Sequence, residues 1–476
     1  MNNRMWLGMI IFAGLGFVFS APAKSQEWKA GVAVRVITPK QPMWTSGYGG
    51  RKAPASETLD DLHVKALTVV DSQGSRVVIV TSDLIGLNYE FTEDVAREAQ
   101  KRYNISRDNL LLTASHTHSG PEMRPFVEKT PGYHYTKIDA ETVPREFAAL
   151  IPPYVEWLKG EFIEVIGESL AATAPASLEF SSFQPVPFAV SRRHPDGKGG
   201  ILYRSTPSSY FTGGPRDDTV PVLNITDSGG NIRVILFGYA CHPITLNENV
   251  YSADYPGYAQ RYIEEAYPGA TALFVQGCAG QLVPNARNHI EYAQGHGRSL
   301  AVAVKDALDG GLTPVPGPVR CAYEDVAVAF QSLPPRAELE EIAASGPKTG
   351  PSSRKRHAAL ILARMDKGET IPSTMPCPVQ ALRFGDDILL VGLCGEPVAE
   401  YALKIKESYL THKFVWVAGY CTHEFGYLPT WNVWREGGYE AGDALYNTPY
   451  PGPLAGDVEK RVLDGVGRVV GSVMGH

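Results

Sequence analysis

The side chains best suited to chemistry gather just after short apolar runs. Leu110-Leu111-Leu112 leads into Ser115-His116-Thr117-His118, and Val234-Ile235-Leu236-Phe237 leads into Cys241-His242-Pro243. Ile388-Leu389-Leu390-Val391 leads into Gly395-Glu396-Pro397, and Phe414-Val415-Trp416-Val417 into Cys421-Thr422-His423. Asp83, which follows Val77-Val78-Ile79-Val80, and Asn285 are further candidates. Neutral imidazoles with a carboxylate form an N/O donor set that suits zinc, and the same groups serve acid/base chemistry. A lone histidine after a strand is more often an ordinary structural residue. Several strand ends carrying the same composition point to one shared site. On an extended segment residues i and i+2 face the same way, so His116 and His118 are expected to look into it together.

The elements that must position these groups are legible as alternating patterns. Continuous apolar, β-branched runs fit strands buried on both faces of a sheet. Helical stretches are expected between them, over Thr92–Tyr103, Pro256–Tyr267 and Gly295–Leu308. Glu396 is expected to open a helix through Lys406, with Pro397 at the first position, where a missing N–H costs least. Strands alternating with helices predict an α/β fold, here one large domain with a mixed or parallel sheet. The candidate metal site then falls at the carboxyl ends of the strands, where open α/β sheets bind ligands. Pro- and Gly-rich stretches at 310–318 and 345–352 read as loops within that domain, because candidate ligands lie on both sides.

Bulk properties limit the partners. With 476 residues, 44% apolar and 20% charged, the chain can bury a sizeable core. A formal net charge of -7 gives no electrostatic reason to expect nucleic acid. The short basic run Arg354-Lys355-Arg356 reads as a solvated helix face. At the N-terminus, Arg4 precedes the apolar stretch Met5 to Phe19 and the small residues Ser20-Ala21-Pro22-Ala23. That pattern reads as a secretory signal peptide over residues 1–25, with residues 26–476 exported to the periplasm or the exterior. The alternative is an uncleaved anchor, although about 15 apolar residues is short for a bilayer. After residue 25 no segment is long and apolar enough to cross a membrane. Six cysteines (241, 278, 321, 377, 394 and 421) permit disulfides in an oxidising compartment but do not choose a pairing. No CxxC pair exists, which argues against a thiolate zinc cluster.

An ordered set of segments resembles the neutral, non-lysosomal ceramidases over about Ala30 to Gly442. Gly47-Tyr48-Gly49-Gly50-Arg51 and Asp61-Leu62-His63-Val64-Lys65-Ala66-Leu67 look like the family's opening loop and strand. Ala114-Ser115-His116-Thr117-His118-Ser119-Gly120-Pro121 is similar to its most specific motif, and Ser252-Ala253-Asp254-Tyr255-Pro256-Gly257-Tyr258 to its SxDxxGY segment. Gly419-Tyr420 through Tyr427, then Tyr439-Glu440-Ala441, resembles its closing loop.

The resemblance implies a zinc (Zn2+) cofactor held by His116, His242, Glu396 and Tyr427. It implies His118 facing the reacting carbonyl, Tyr439 at the substrate or developing oxyanion, and substrate binding by one of Arg192-Arg193, Arg192 being favoured. Departures matter as much. Where the family carries a serine before Pro-Asn, this chain reads Gly280-Gln281-Leu282-Val283-Pro284-Asn285, and valine has no hydroxyl to attack or donate. Glu122 stands where the family's glycine is expected, bringing a second acid/base group near the motif. No segment matches the C-terminal immunoglobulin-like domain of full-length ceramidases, which is expected to be absent. The favoured expectation is therefore a zinc hydrolase of an amide or related bond, with water as nucleophile and a small-molecule, lipid or glycan-derived substrate. Two others are a carbohydrate- or lactone-directed hydrolase, which Trp431, Trp434 and Tyr439 would suit, and a silent binding protein stabilised by its metal.

Overall fold

The computed structural model describes residues 28–123, 144–183, 186, 188–203, 213–348 and 350–475. The expected signal peptide lies outside these residues. Two sheets pack face to face, each covered by helices on its other side. The larger is mixed: in spatial order it runs Thr271–Gln276, Ile232–Tyr239, Val220–Asp227, Ala174–Phe183, Trp28–Val36, His63–Val70, Arg76–Ser82 and Leu110–Ala114, with Thr313–Pro314 as a short addition on Ala174–Phe183. Its parallel pairs are Ile232–Tyr239 with Thr271–Gln276 and Arg76–Ser82 with Leu110–Ala114; the rest are antiparallel. The smaller sheet orders Val319–Ala329, Thr374–Phe384, Ile388–Leu393 and Phe414–Ala418, the last pair parallel.

Burial on both faces explains the unbroken apolar runs. In Arg76–Ser82, Val78 and Val80 pack against helices Tyr89–Tyr103 and Ile151–Ala171. Val77 and Ile79 face inward, meeting Leu390 and Trp416 of the second sheet. The same logic holds for the strands at 232–239 and 271–276, whose outer residues pack on helices Asp254–Ala266 and Ile290–Asp309. Helices Ala399–Ser408 and Val458–Met474 close the smaller sheet. The helices expected from Thr92, Pro256 and Gly295 begin somewhat earlier, at Tyr89, Asp254 and Ile290. Asn88 starts the first by accepting a hydrogen bond from Phe91 N, and Asn104 ends it in the left-handed conformation.

Two local expectations are corrected. Glu396 does not open a helix: Glu396–Pro397 forms a short parallel bridge with Tyr427–Leu428, and the helix begins at Ala399. Glu396 N donates to Gly426 O, so the chain is still in a sheet-like pairing there. His116 is not extended either, having φ of 68°. Cys377 and Cys394 form a disulfide between neighbouring strands of the smaller sheet, while Cys241, Cys278 and Cys421 are free and buried. No helix of the described residues is long and apolar enough to cross a membrane.

Candidate metal centre

His116 follows the edge strand Leu110–Ala114. Its backbone N–H donates to Leu84 O, and its left-handed turn carries the imidazole back over the sheet end. A non-glycine residue held there is strained by about 1–2 kcal/mol, a cost the surrounding structure must offset. The ring is fixed from behind, because Nδ1–H donates to Ile85 O at 2.5 Å. His242 is held in the same manner from the opposite side: its Nδ1 lies 2.7 Å from Ala279 O and 3.1 Å from Leu282 O. A carbonyl only accepts, so both rings carry their proton on Nδ1 and direct the Nε2 lone pair forward.

Those lone pairs meet a carboxylate. Glu396 Oε2 lies 3.0 Å from His242 Nε2 and 3.3 Å from His116 Nε2. Three electron-rich atoms at that spacing repel unless a cation lies among them. Tetrahedral ligands at zinc's usual distance of about 2.1 Å from the ion are separated by roughly 3.3–3.4 Å, so the donor set fits a metal as it stands. Electrostatics agree. Burial and the neighbouring Arg192 charge push His242 down to about 4, keeping it neutral. Burial works to raise the Glu396 carboxyl, but the adjacent His116 and His242 rings hold it well below the usual carboxylate range. A neutral imidazole and an ionised carboxylate are the states that bind metal.

His118 enters the same cluster. Its Nε2 is 3.3 Å from His116 Nε2, and His116, His118 and His242 offer nitrogens all within 4.8 Å of one another. The resemblance instead points this ring at substrate. The geometry separates His118 from the other two in one respect: its Nδ1 is buried without a partner, so no carbonyl fixes its tautomer. Burial and the neighbouring His116 lower it well below the ordinary imidazole value. Two features seat the ring. Arg51 Nη2 clamps the His118 carbonyl at 2.7 Å, and Gly47, at φ of 95°, leaves room where a Cβ would lie 2.3 Å from His118 Nδ1.

The remaining site candidates divide. A pocket of about 850 Å³, counted out to its open mouth, has His116, His118, Glu396, Tyr427 and Tyr439 on its wall. The Tyr427 and Tyr439 rings are 5.3 Å apart. Arg192 is buried beneath them: Nη2 donates to the Tyr427 hydroxyl oxygen at 2.7 Å and to Gly280 O, while Nε pairs with Glu440. Glu440 also receives Arg193, giving a buried Arg–Glu–Arg group under Tyr427. Arg192 is not among the described residues lining the pocket, and its contacts support Tyr427. Glu122 is buried with Oε1 accepting from its neighbour Met123 N, and it too is absent from the described lining.

His423 is engaged elsewhere, with Pro376 O and the Tyr450 hydroxyl. Asp83 accepts from His63 N, and Asn285 is exposed. Of the aromatics suited to sugar stacking, Trp431 and Trp434 stack on each other 5.2 Å apart and are not in the described lining, whereas Tyr439 is. Val283 lies one layer behind the wall, packed with Val190 and Ile244 against Tyr48, which does line the pocket. Gly47, Gly49, Ile85, Gly426, Ala444, Asn447 and Thr448 complete the described wall and were not singled out from sequence as site residues. Only the glycine-rich Gly47-Tyr48-Gly49-Gly50 stretch carried a signal for a close backbone approach.

The fold and site thus define an α/β protein with a buried histidine–carboxylate centre that could hold a metal ion. Comparison with known proteins narrows this. No protein-family model matches the chain. Neutral ceramidase A of Dictyostelium discoideum is 23% identical over 241 residues, covering 47% of this chain and 31% of that protein. A neutral ceramidase of Mycobacterium tuberculosis is 24% identical over 457 residues, covering 79% of this chain and 67% of that one. The crystal structure of neutral ceramidase from Pseudomonas aeruginosa superposes with a TM-score of 0.68 at 18% identity, covering 92% of this chain and 74% of that structure. The chain is similar in sequence to neutral ceramidases and shares the fold of their solved structure, while the match spans less than a third of the D. discoideum protein's length.

Proposed function

We propose that the chain is an exported, zinc-dependent hydrolase that cleaves an N-acyl amide or a related bond. The observation that carries this reading is the meeting of His116 Nε2 and His242 Nε2 on Glu396 Oε2, each ring held by a backbone carbonyl from behind. In this reading His116, His242 and Glu396 hold the ion, with Tyr427 as fourth ligand. A bound zinc lowers the pKa of water towards neutrality and polarises a carbonyl oxygen. Everything else falls to the chain's own groups. Arg192 donates to the Tyr427 oxygen and so fixes its position. Tyr439, on the wall beside it, donates its hydroxyl to the substrate carbonyl oxygen as charge develops there. His118 accepts or returns a proton, since its ring is neutral and no carbonyl fixes its tautomer. The attacking group is water rather than a hydroxyl of residue 283, because Val283 has none and packs behind Tyr48.

The relatives' name suggests ceramide as the substrate class to try first, and Val283 suggests a variant of it. Metal analysis of the purified protein, coupled to turnover of N-acylsphingosine and simpler N-acyl amides, tests the reading. Stoichiometric zinc and chelator-sensitive cleavage of one of these amides are expected. Metal-free protein with full activity would end it.

A further inference from the structure

The basic run Arg354-Lys355-Arg356 does not lie on a fully solvated face, and the reason leads to the pocket. It opens helix Ser353–Asp366, which pairs with Arg336–Ser345 as a hairpin with its own small core of Leu339, Ile342, Ala358 and Ile361. The hairpin's inner face grips one loop, residues 443–453. His357 Nε2–H donates to Tyr450 O at 2.8 Å, and its ring meets the Tyr446 ring edge-on at 5.2 Å. Arg364 donates to Pro449 O, Arg356 Nη2 donates to Asn447 Oδ1 at 3.3 Å, and the Arg354 guanidinium sits 5.1 Å from the Tyr446 ring. The opposite side of this loop is pocket wall, contributed by Ala444, Asn447 and Thr448. Asn447 is held at both ends of its amide, since Nδ2 donates to Ala444 O. Tyr450 is anchored a second time, through its hydroxyl to His423.

We propose that this hairpin is a positioning device for the substrate pocket, and that His357 and Arg356 set the place of Asn447 and Thr448 on its wall. The proposal rests on the pocket being the reactive site. It makes His357 and Arg356 positioning residues: neither is on the wall, and each acts through the loop. Weakening them therefore alters how substrate fits while leaving the metal ligands untouched.

The test compares the unmodified protein with His357→Phe, which keeps a ring against Tyr446 but loses the donor, and with His357→Gln, which keeps a donor. Amide hydrogen exchange over residues 443–453 should rise about five- to tenfold in His357→Phe, the effect of losing one such bond, and stay near native in His357→Gln. Arg356→Met should raise exchange more modestly at Asn447. With a fluorescent short-chain N-acylsphingosine as probe, KM should rise about fivefold in His357→Phe with kcat within twofold. Zinc affinity should be unchanged. Native exchange in both His357→Phe and Arg356→Met overturns the device, and raised exchange with an unaltered KM overturns its bearing on substrate. No turnover by the unmodified protein would instead count against the proposed function, and the exchange measurement would still decide the device.

Discussion

The imidazoles of His116 and His242 are fixed by backbone carbonyls of loops leaving the central sheet, at Ile85 and Ala279. Asn447, on the facing wall, is fixed by the side chain of Arg356, 91 positions away in a peripheral hairpin. Tyr427 stands between these cases, placed by its own bridge to Glu396 and by the buried Arg192–Glu440–Arg193 group. The difference separates what the fold imposes from what a few side chains adjust. A carbonyl remains whatever side chain its residue carries, so the geometry of the proposed ligands follows the strand ends. The wall instead depends on individual side chains, so single substitutions can alter it without touching the carbonyls that hold the imidazoles.

The largest expected effect is on the intermediate case. Glu440→Leu leaves two guanidinium groups buried without their shared carboxylate, and losing one partner of a buried ion pair costs about 3–5 kcal/mol. Urea unfolding should show that loss, with zinc affinity also reduced because Arg192 no longer holds Tyr427. Unfolding within about 1 kcal/mol of native would mean that the group is hydrated in solution and carries little of the structure. Next come the proposed ligands. His116→Ala and Glu396→Ala should each weaken zinc binding by more than about a hundredfold in chelator competition, beyond the loss typical of an outer-shell partner. His118→Ala should cost about tenfold or less, and a loss equal to that of His116→Ala would make His118 a full ligand.

Acid should discriminate the two regions as well. His242 has a folded value near 4, below the ordinary 6.5. Above 6.5 the ring is neutral in both the folded and the unfolded chain, and stability does not depend on it. Between 6.5 and 4 only the unfolded chain takes up the proton. Metal-free protein should thus lose about 1.4 kcal/mol per pH unit across that window from this group. His242→Phe should flatten the dependence. A slope unchanged by that substitution would assign the acid sensitivity to other groups.

How much of this was legible from sequence follows the same division. The paired burial of Val77–Val80 and of Val234–Phe237 shows in an unbroken apolar run, because both sheet faces are dry. The reactive groups after those runs could be found for the same reason, and His116, His242 and Glu396 do converge. Local geometry misled at two points. Proline after Glu396 favours a helix start in isolation, but tertiary pairing with Tyr427–Leu428 prevails. A His-Thr-His sequence reads as extended, but His116 turns left-handed because its N–H is claimed by Leu84 O. The wall was illegible for a different reason. Nothing near Asn447 in sequence reveals that Arg356 will meet it, and nothing near Arg192 reveals that its guanidinium will donate to Tyr427.

The smallest expected effect concerns Val283, and it bears most directly on substrate. A hydroxyl donor lost from a reacting site costs on the order of a hundred- to a thousandfold in rate. Were position 283 on the wall, Val283→Ser should therefore raise ceramide cleavage by a comparable factor. The side chain instead packs with Val190 and Ile244 in an apolar pocket behind Tyr48. A serine hydroxyl placed there meets methyl groups and lies without a partner, at a stability cost of about 1–3 kcal/mol. Tyr48, which packs on that group and lines the pocket, places its ring 5.0 Å from the His118 ring, whereas Val283 is not among the described lining residues. Ceramide turnover should accordingly change by less than about threefold, the scale of a small shift in Tyr48 rather than of a new donor. A gain of a hundredfold would show that the Tyr48 ring moves aside. It would also mean that the wall, not only the loop from 443 to 453, is built from parts that a single substitution rearranges.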